Sequence, residues 1–167
     1  MVLTKTELIS ALQGEVRVLL HLASKAGPTQ LDYRPSAKQR STLELLQYLT
    51  IMGPIHLRAV MADSFDMDGW REAWRTGGAA AKAMSLDEVK SSIATQPALF
   101  AELLDPCSDA GLRAEIQMFG RQASRGTMLV SLVLTHYAAY RMQLFLYLKA
   151  SGREELNTMN LWVGIDA

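Results

Sequence analysis

Residues 128–148 form the most apolar stretch of the chain, broken only by Ser131, His136, Arg141, Gln143 and a few smaller polar groups. A membrane-spanning helix wants about 20 mostly apolar residues, and an arginine near its middle is costly there. The stretch is therefore expected as a buried helix, and a helix so apolar around its circumference has to be enclosed by other elements. Three further segments carry helical periodicity, and no strand-type alternation accompanies them.

The first helix is expected from about Thr4 to Ala26. Leu8, Leu12, Val16, Leu19 and Ala23 form its apolar stripe, Thr4 and Glu7 its capping box, and Gly27-Pro28 its stop. The second is expected from about Ser41 to Ala62, with Ser41 or Thr42 as N-cap. Pro54 lies inside it and removes a hydrogen bond to the carbonyl four residues back, which predicts a kink near Thr50. Ser85 and Glu88 open a third helix to about Leu104, which Pro97 kinks or splits. The last helix runs from about Ser124 to Ser151 and stops at Gly152. Residues 64–78 are less regular, with Trp70 and Trp74 one helical turn apart and facing the bundle. Residues 105–122 read as a polar link. Trp162, so near the C-terminus, implies a tail folded back onto the body.

Four long helices without strands predict an all-α fold, an antiparallel four-helix bundle in one domain spanning residues 1–167. The 17 basic residues balance the 17 acidic ones. Neither a basic excess nor a basic stripe with aromatic residues is present, so a nucleic-acid partner is not expected. Cys107 is the single cysteine; it permits no intramolecular disulfide, has no neighbouring histidine to activate it, and suits the reducing cytoplasm. The N-terminus lacks the layout of a secretory leader, and no membrane partner is expected. The cover for the last helix comes either from the irregular segments or from a second copy, and a homodimer through that helix is the expectation.

Two segments carry a family resemblance. Ser41-Thr42-Leu43-Glu44-Leu45-Leu46-Gln47-Tyr48-Leu49 resembles the second helix of DinB-like proteins, and residues 136–152, opening His136-Tyr137-Ala138-Ala139-Tyr140-Arg141-Met142-Gln143, resemble their last helix. The resemblance spans the chain in helix order, and the closing segment is its specific part. It implies an up-down-down-up bundle, often dimeric and bacterial. Some members of the family are metal-dependent transferases or isomerases that act with low-molecular-weight thiols. Carried over by position, the family's three metal-binding histidines fall on Tyr48, His136 and Tyr140.

Only one of those three is an imidazole. His136 and Tyr140, four residues apart, share a helix face whose neighbours are mostly apolar, which aims the pair at the bundle interior. A phenol must lose a proton near pH 10 before it binds metal, so zinc or nickel should be held weakly, whereas ferric iron tolerates phenolate. The expectation is therefore no resident cofactor, with a divalent metal or ferric iron as the alternative. The trio then reads either as a hydrogen-bonded polar cluster in the core or as a metal-free pocket for a small molecule. His56, two turns beyond Tyr48, is too far along the helix to join a centre at the Tyr48 level, and His21 falls on a polar face. Asp66 to Gly69 hints at a calcium loop, but Arg75 stands where the closing glutamate belongs. Three functions remain open: a non-catalytic or ligand-binding protein, a metal-dependent enzyme, and a dimeric interaction module.

Overall fold

The structure, a computed structural model, describes residues 3–166. It is mostly helical: α1 (Lys5–Ala23), α2 (Pro28–Leu31), α3 (Thr42–Met61), α4 (Met67–Lys82), α5 (Leu86–Ala94), α6 (Gln96–Leu104) and α7 (Asp109–Arg113) precede a two-stranded hairpin, and one long closing helix follows it. That closing helix comprises α8 (Arg125–Leu129), a π-helical turn (Val130–Leu134) and α9 (Thr135–Ala150). A second π-helical turn, Met159–Val163, lies in the tail. Among the described residues, no helix is long and apolar enough to cross a membrane.

The helix starts follow from local chemistry. Thr4, Ser41 and Ser85 each accept the backbone N–H three residues on, while Glu7, Glu44 and Glu88 return the bond to the cap. Each box satisfies two donors that a helix N-terminus leaves unpaired, worth about 1 kcal/mol per cap. Gly27-Pro28 does not simply end the first helix, since Pro28 also begins the short α2. The third predicted helix is split at Thr95, because Pro97 cannot donate to the preceding turn.

The two prolines meet at one point in the core. Pro54 has no N–H to give the Thr50 carbonyl, which would otherwise be a buried unpaired acceptor. Gln96, freed by the break before α6 and 1% exposed, donates through Nε2 to the Thr50 and Leu49 carbonyls, each at 3.0 Å. Its Oε1 accepts the Tyr137 hydroxyl of α9 at 2.5 Å. Gly53 lets that ring approach, because a Cβ there would overlap the Tyr137 hydroxyl. One amide side chain thus joins α3, α6 and α9.

The fold is mostly helical as expected, but the expectation of no strands is corrected by a hairpin, β1 (Glu115–Met118) paired antiparallel with β2 (Arg121–Ser124). Its two-residue turn, Phe119-Gly120, has φ of 52° and 72°, the sign pattern of a turn that matches strand twist. A phenylalanine is disfavoured there, and its ring contacts with Phe65 (4.7 Å) and Trp70 (5.1 Å) offset the strain. Pairing covers only four residues a side, and Ile116 and Met118 are the sole apolar alternation on β1, which is why the strand was not legible.

The tail does fold back, through Asn160 and Leu161, which are buried, whereas Trp162 is 56% exposed. Arg17 donates to the Val163 carbonyl at 2.5 Å and Lys25 pairs with Asp166 at 2.6 Å, tying the tail to α1. Among the described large apolar side chains of the closing helix, Leu146 alone is exposed.

Gln96→Leu leaves the Thr50 carbonyl and the Tyr137 hydroxyl without their partner and should cost about 1–3 kcal/mol in urea unfolding. Gly53→Ala should cost at least about 1–3 kcal/mol through the forced displacement of Tyr137. Unchanged midpoints for both variants would contradict this account of the α3 distortion.

Candidate functional site

The π-helical turn ends at Leu134, two positions before His136. Thr135 donates both its backbone N–H and its hydroxyl to the Val130 carbonyl, five residues back, and the extra residue per turn rephases everything that follows. Tyr137 therefore points to the centre of the core and is fully buried, while His136 and Tyr140 are half-buried beside it. This corrects the expectation that His136 and Tyr140 face the bundle interior. They line a seam between α3 and α9, covered by α4.

Along that seam the aromatic rings form a continuous row. The Tyr48 ring meets Tyr140 edge-on at 5.1 Å, and Tyr140 meets His136 at 6.1 Å. His136 in turn faces His56 at 5.6 Å. Because Tyr48 sits opposite Tyr140 and His56 opposite His136, the two helices run in opposite directions here. From α4, Trp74 stacks on Tyr48 at 5.4 Å with an interplanar angle of 20° and touches His56 at 5.5 Å. Trp70 lies 6.0 Å from His56 and 5.1 Å from Phe119 of the hairpin turn.

His56 is the residue that the sequence misplaced. Its distance from Tyr48 rules out a shared centre at Tyr48, but His136 lies one turn from Tyr140 in the direction of His56. Antiparallel packing brings the two histidines together without either leaving its helix. The only signal in the sequence was that residues 48, 52 and 56 recur at helical spacing on one side of α3.

Four nitrogens in this row are buried without a hydrogen-bond partner: Nδ1 of His56, Nδ1 of His136, Nε1 of Trp70 and Nε1 of Trp74. Burial, and then the facing His136, pushes the His56 imidazole down to about 4, so it is neutral at physiological pH. Burial, and then the neighbouring Tyr140 hydroxyl, pushes the Tyr48 phenol above its ordinary value, making phenolate harder to form.

Other residues singled out by the sequence lie elsewhere. His21 is on α1, where Nε2 meets the Asn160 amide at 3.1 Å, and it serves the tail. Arg141 is 4% exposed and lies 3.3 Å from Glu15 without hydrogen-bond alignment, its guanidinium 4.7 Å from the Trp162 ring. Gln143 donates to the Tyr147 hydroxyl at 2.5 Å. Both side chains thus have partners within the chain.

The row does not make a conventional three-ligand metal centre. Among the described residues, no group of three or more His, Cys, Asp or Glu side chains is placed to hold a metal ion. A tetrahedral zinc site usually takes three such ligands, and the raised Tyr48 phenol is a poor substitute.

No protein-family model and no curated protein matches the chain. Among solved structures, it is similar to a DinB-like protein from Bacillus subtilis at 19% identity and a TM-score of 0.67, covering 90% of this chain and 94% of that one. It is also similar to a DinB-like protein from Bacillus cereus at 14% identity and a TM-score of 0.71, covering 91% and 95%. At these identities the likeness is one of fold, and the chain folds as DinB-like proteins do.

A neutral, buried His56 makes stability depend on pH in a defined direction. The unfolded chain takes up this proton near 6.5, the ordinary value for histidine, and the folded chain only near 4, so the contribution is complete above about pH 6.5 and is lost as pH falls toward 4. Urea unfolding at pH 7 and pH 5 should therefore show a steeper loss for the native chain than for His56→Phe. Equal losses in the two proteins would count against it.

Proposed function

Starting from the DinB-like fold, we propose that this chain is a metal-free member of that structural group, an antiparallel up-down-down-up bundle that binds a small molecule along the Tyr48–Tyr140–His136–His56 seam. The four unpartnered ring nitrogens carry the reading. Buried polar groups are nearly always hydrogen-bonded, and leaving one unmet costs on the order of 1–3 kcal/mol. Four on one aromatic seam, two of them indole donors, are the pattern of a pocket whose partners arrive with a ligand. The chemistry available is recognition: stacking faces from Tyr48 and Trp74, donors from both tryptophans, and imidazoles that either accept or donate.

One observation favours a second reading. The His56 and His136 rings, 5.6 Å apart, can share a single transition-metal ion, with Tyr140 beside them. The site then resembles a metal-dependent enzyme displaced one turn from the positions implied by the resemblance. A homodimer through the closing helix remains part of the proposal, with Leu146 as its exposed apolar contact. A monomer in sedimentation at micromolar concentration argues against that part.

Elemental analysis of chain purified without chelators or a histidine tag separates the two site readings. The pocket reading expects far less than one transition metal per chain. It also expects benzenetrimethanol, a neutral ring bearing hydroxyls, to shift the tryptophan emission and bind about tenfold more weakly to His136→Ala. One firmly held metal per chain, lost in both His56→Ala and His136→Ala, would establish the metal reading instead.

A further inference from the structure

Tyr48 and Trp74 line a cleft of about 1120 Å³ between the 32–41 linker, α3 and α4. The chain as a whole is electrically neutral, yet five cationic side chains line this cleft: Arg34, Lys38, Arg40, Arg75 and Lys82. Only two carboxylates, Asp32 and Glu44, line it with them. Glu44 is already engaged, accepting the Ser41 backbone N–H at 2.7 Å and pairing with Arg34 at 3.3 Å. Arg75 is engaged with Glu72. Lys38, Arg40 and Lys82 have no ion-pair partner among the described residues. The Ser41 N–H holds the Glu44 carboxyl below its usual range, with Arg34 and Lys82 adding to it.

The cations are set against an apolar, planar surface. The Arg40 guanidinium lies 4.1 Å over the Tyr48 ring, and Tyr48 is stacked on Trp74. A guanidinium held over an aromatic face keeps its donor edge free for a carboxylate, sulfonate or phosphate. Gly78 opens the floor of the cleft, since a Cβ there would meet nothing within 4 Å.

We propose that this cleft selects a small organic polyanion with a planar apolar part, its acidic groups held by Arg40, Lys38 and Lys82 and its planar part packed beside the stacked Tyr48 and Trp74. This inference rests on the pocket reading and names the chemical class of ligand that approaches the seam from the cleft, which meets it at Tyr48 and Trp74. Burial of the planar part against the aromatic wall supplies affinity, and the charge excess supplies selection against neutral compounds.

Titration calorimetry with three probes tests it: trimesate, an aromatic tricarboxylate; tricarballylate, its aliphatic counterpart; and benzenetrimethanol, a neutral ring. Trimesate should bind at least about tenfold tighter than either of the others at low ionic strength, and weaken as salt is raised. Arg40→Gln and Lys82→Gln should each weaken trimesate by about tenfold. Gly78→Glu, which adds a carboxylate where there is space for one, should abolish its binding. Lys90→Gln, a change on α5 outside the cleft lining, should leave it unchanged. Benzenetrimethanol binding as tightly as trimesate overturns the anionic class while leaving the pocket itself standing. Trimesate binding that survives all three cleft variants overturns the location. No binding by any probe to a folded chain overturns this inference and the pocket reading together.

Discussion

The carbonyl of Thr50 has no helical donor, because the residue four places on is Pro54, and the way this is made good governs the middle of the molecule. Gln96 supplies the missing N–H, and it can do so only because Pro97 has broken the preceding helix and turned the start of α6 toward α3. The same amide accepts Tyr137, whose ring passes over Gly53. Two residues that disrupt helices in isolation thus generate one satisfied buried network, in which each member fixes the others. The orientation of α9 follows, since Tyr137 is its deepest side chain.

With Tyr137 held at the centre, the residues on either side of it are obliged to the flank. A single π-helical turn before Thr135 sets this phase, and it is why His136 and Tyr140 lie at a seam instead of in the core. The seam is closed over by α4, whose Trp70 and Trp74 insert flat rings that pack without providing partners for the histidines. Packing is satisfied there and hydrogen bonding is not. A site of this kind is stable as an apolar layer and incomplete as a polar one, and the incompleteness is what points to a ligand.

The contrast between the two sides of Tyr48 gives the site a direction. On one side of it lie Tyr140, His136 and the neutral His56; on the other lie Arg40 and an excess of cations. In a chain with no net charge, that excess reflects how the linker and α4 are arranged in space, since the contributing residues are scattered between positions 34 and 82 and form no run in the sequence. A search for a basic stripe along the chain does not find it.

What the sequence alone determined was whatever depends on near neighbours: capping boxes at Thr4 and Ser85, an N-cap at Ser41 or Thr42, the apolar stripe of α1 and the split at Pro97. The resemblance of residues 41–49 and 136–152 to DinB-like proteins correctly anticipated the fold. Placing Tyr48 near Tyr140 came from the same resemblance, which puts two of the family's ligand positions on them, and the two rings do meet. Tertiary structure decided the rest. The pairing of His56 with His136 depends on the relative register of two antiparallel helices, and the retreat of His136 and Tyr140 to the seam depends on one π-helical turn. The hairpin was hidden because four-residue strands are stabilised by Phe65, Trp70 and each other more than by their own pattern. Local rules act over one or two turns of chain, whereas an aromatic seam like this one is made wherever distant segments come to rest against one another.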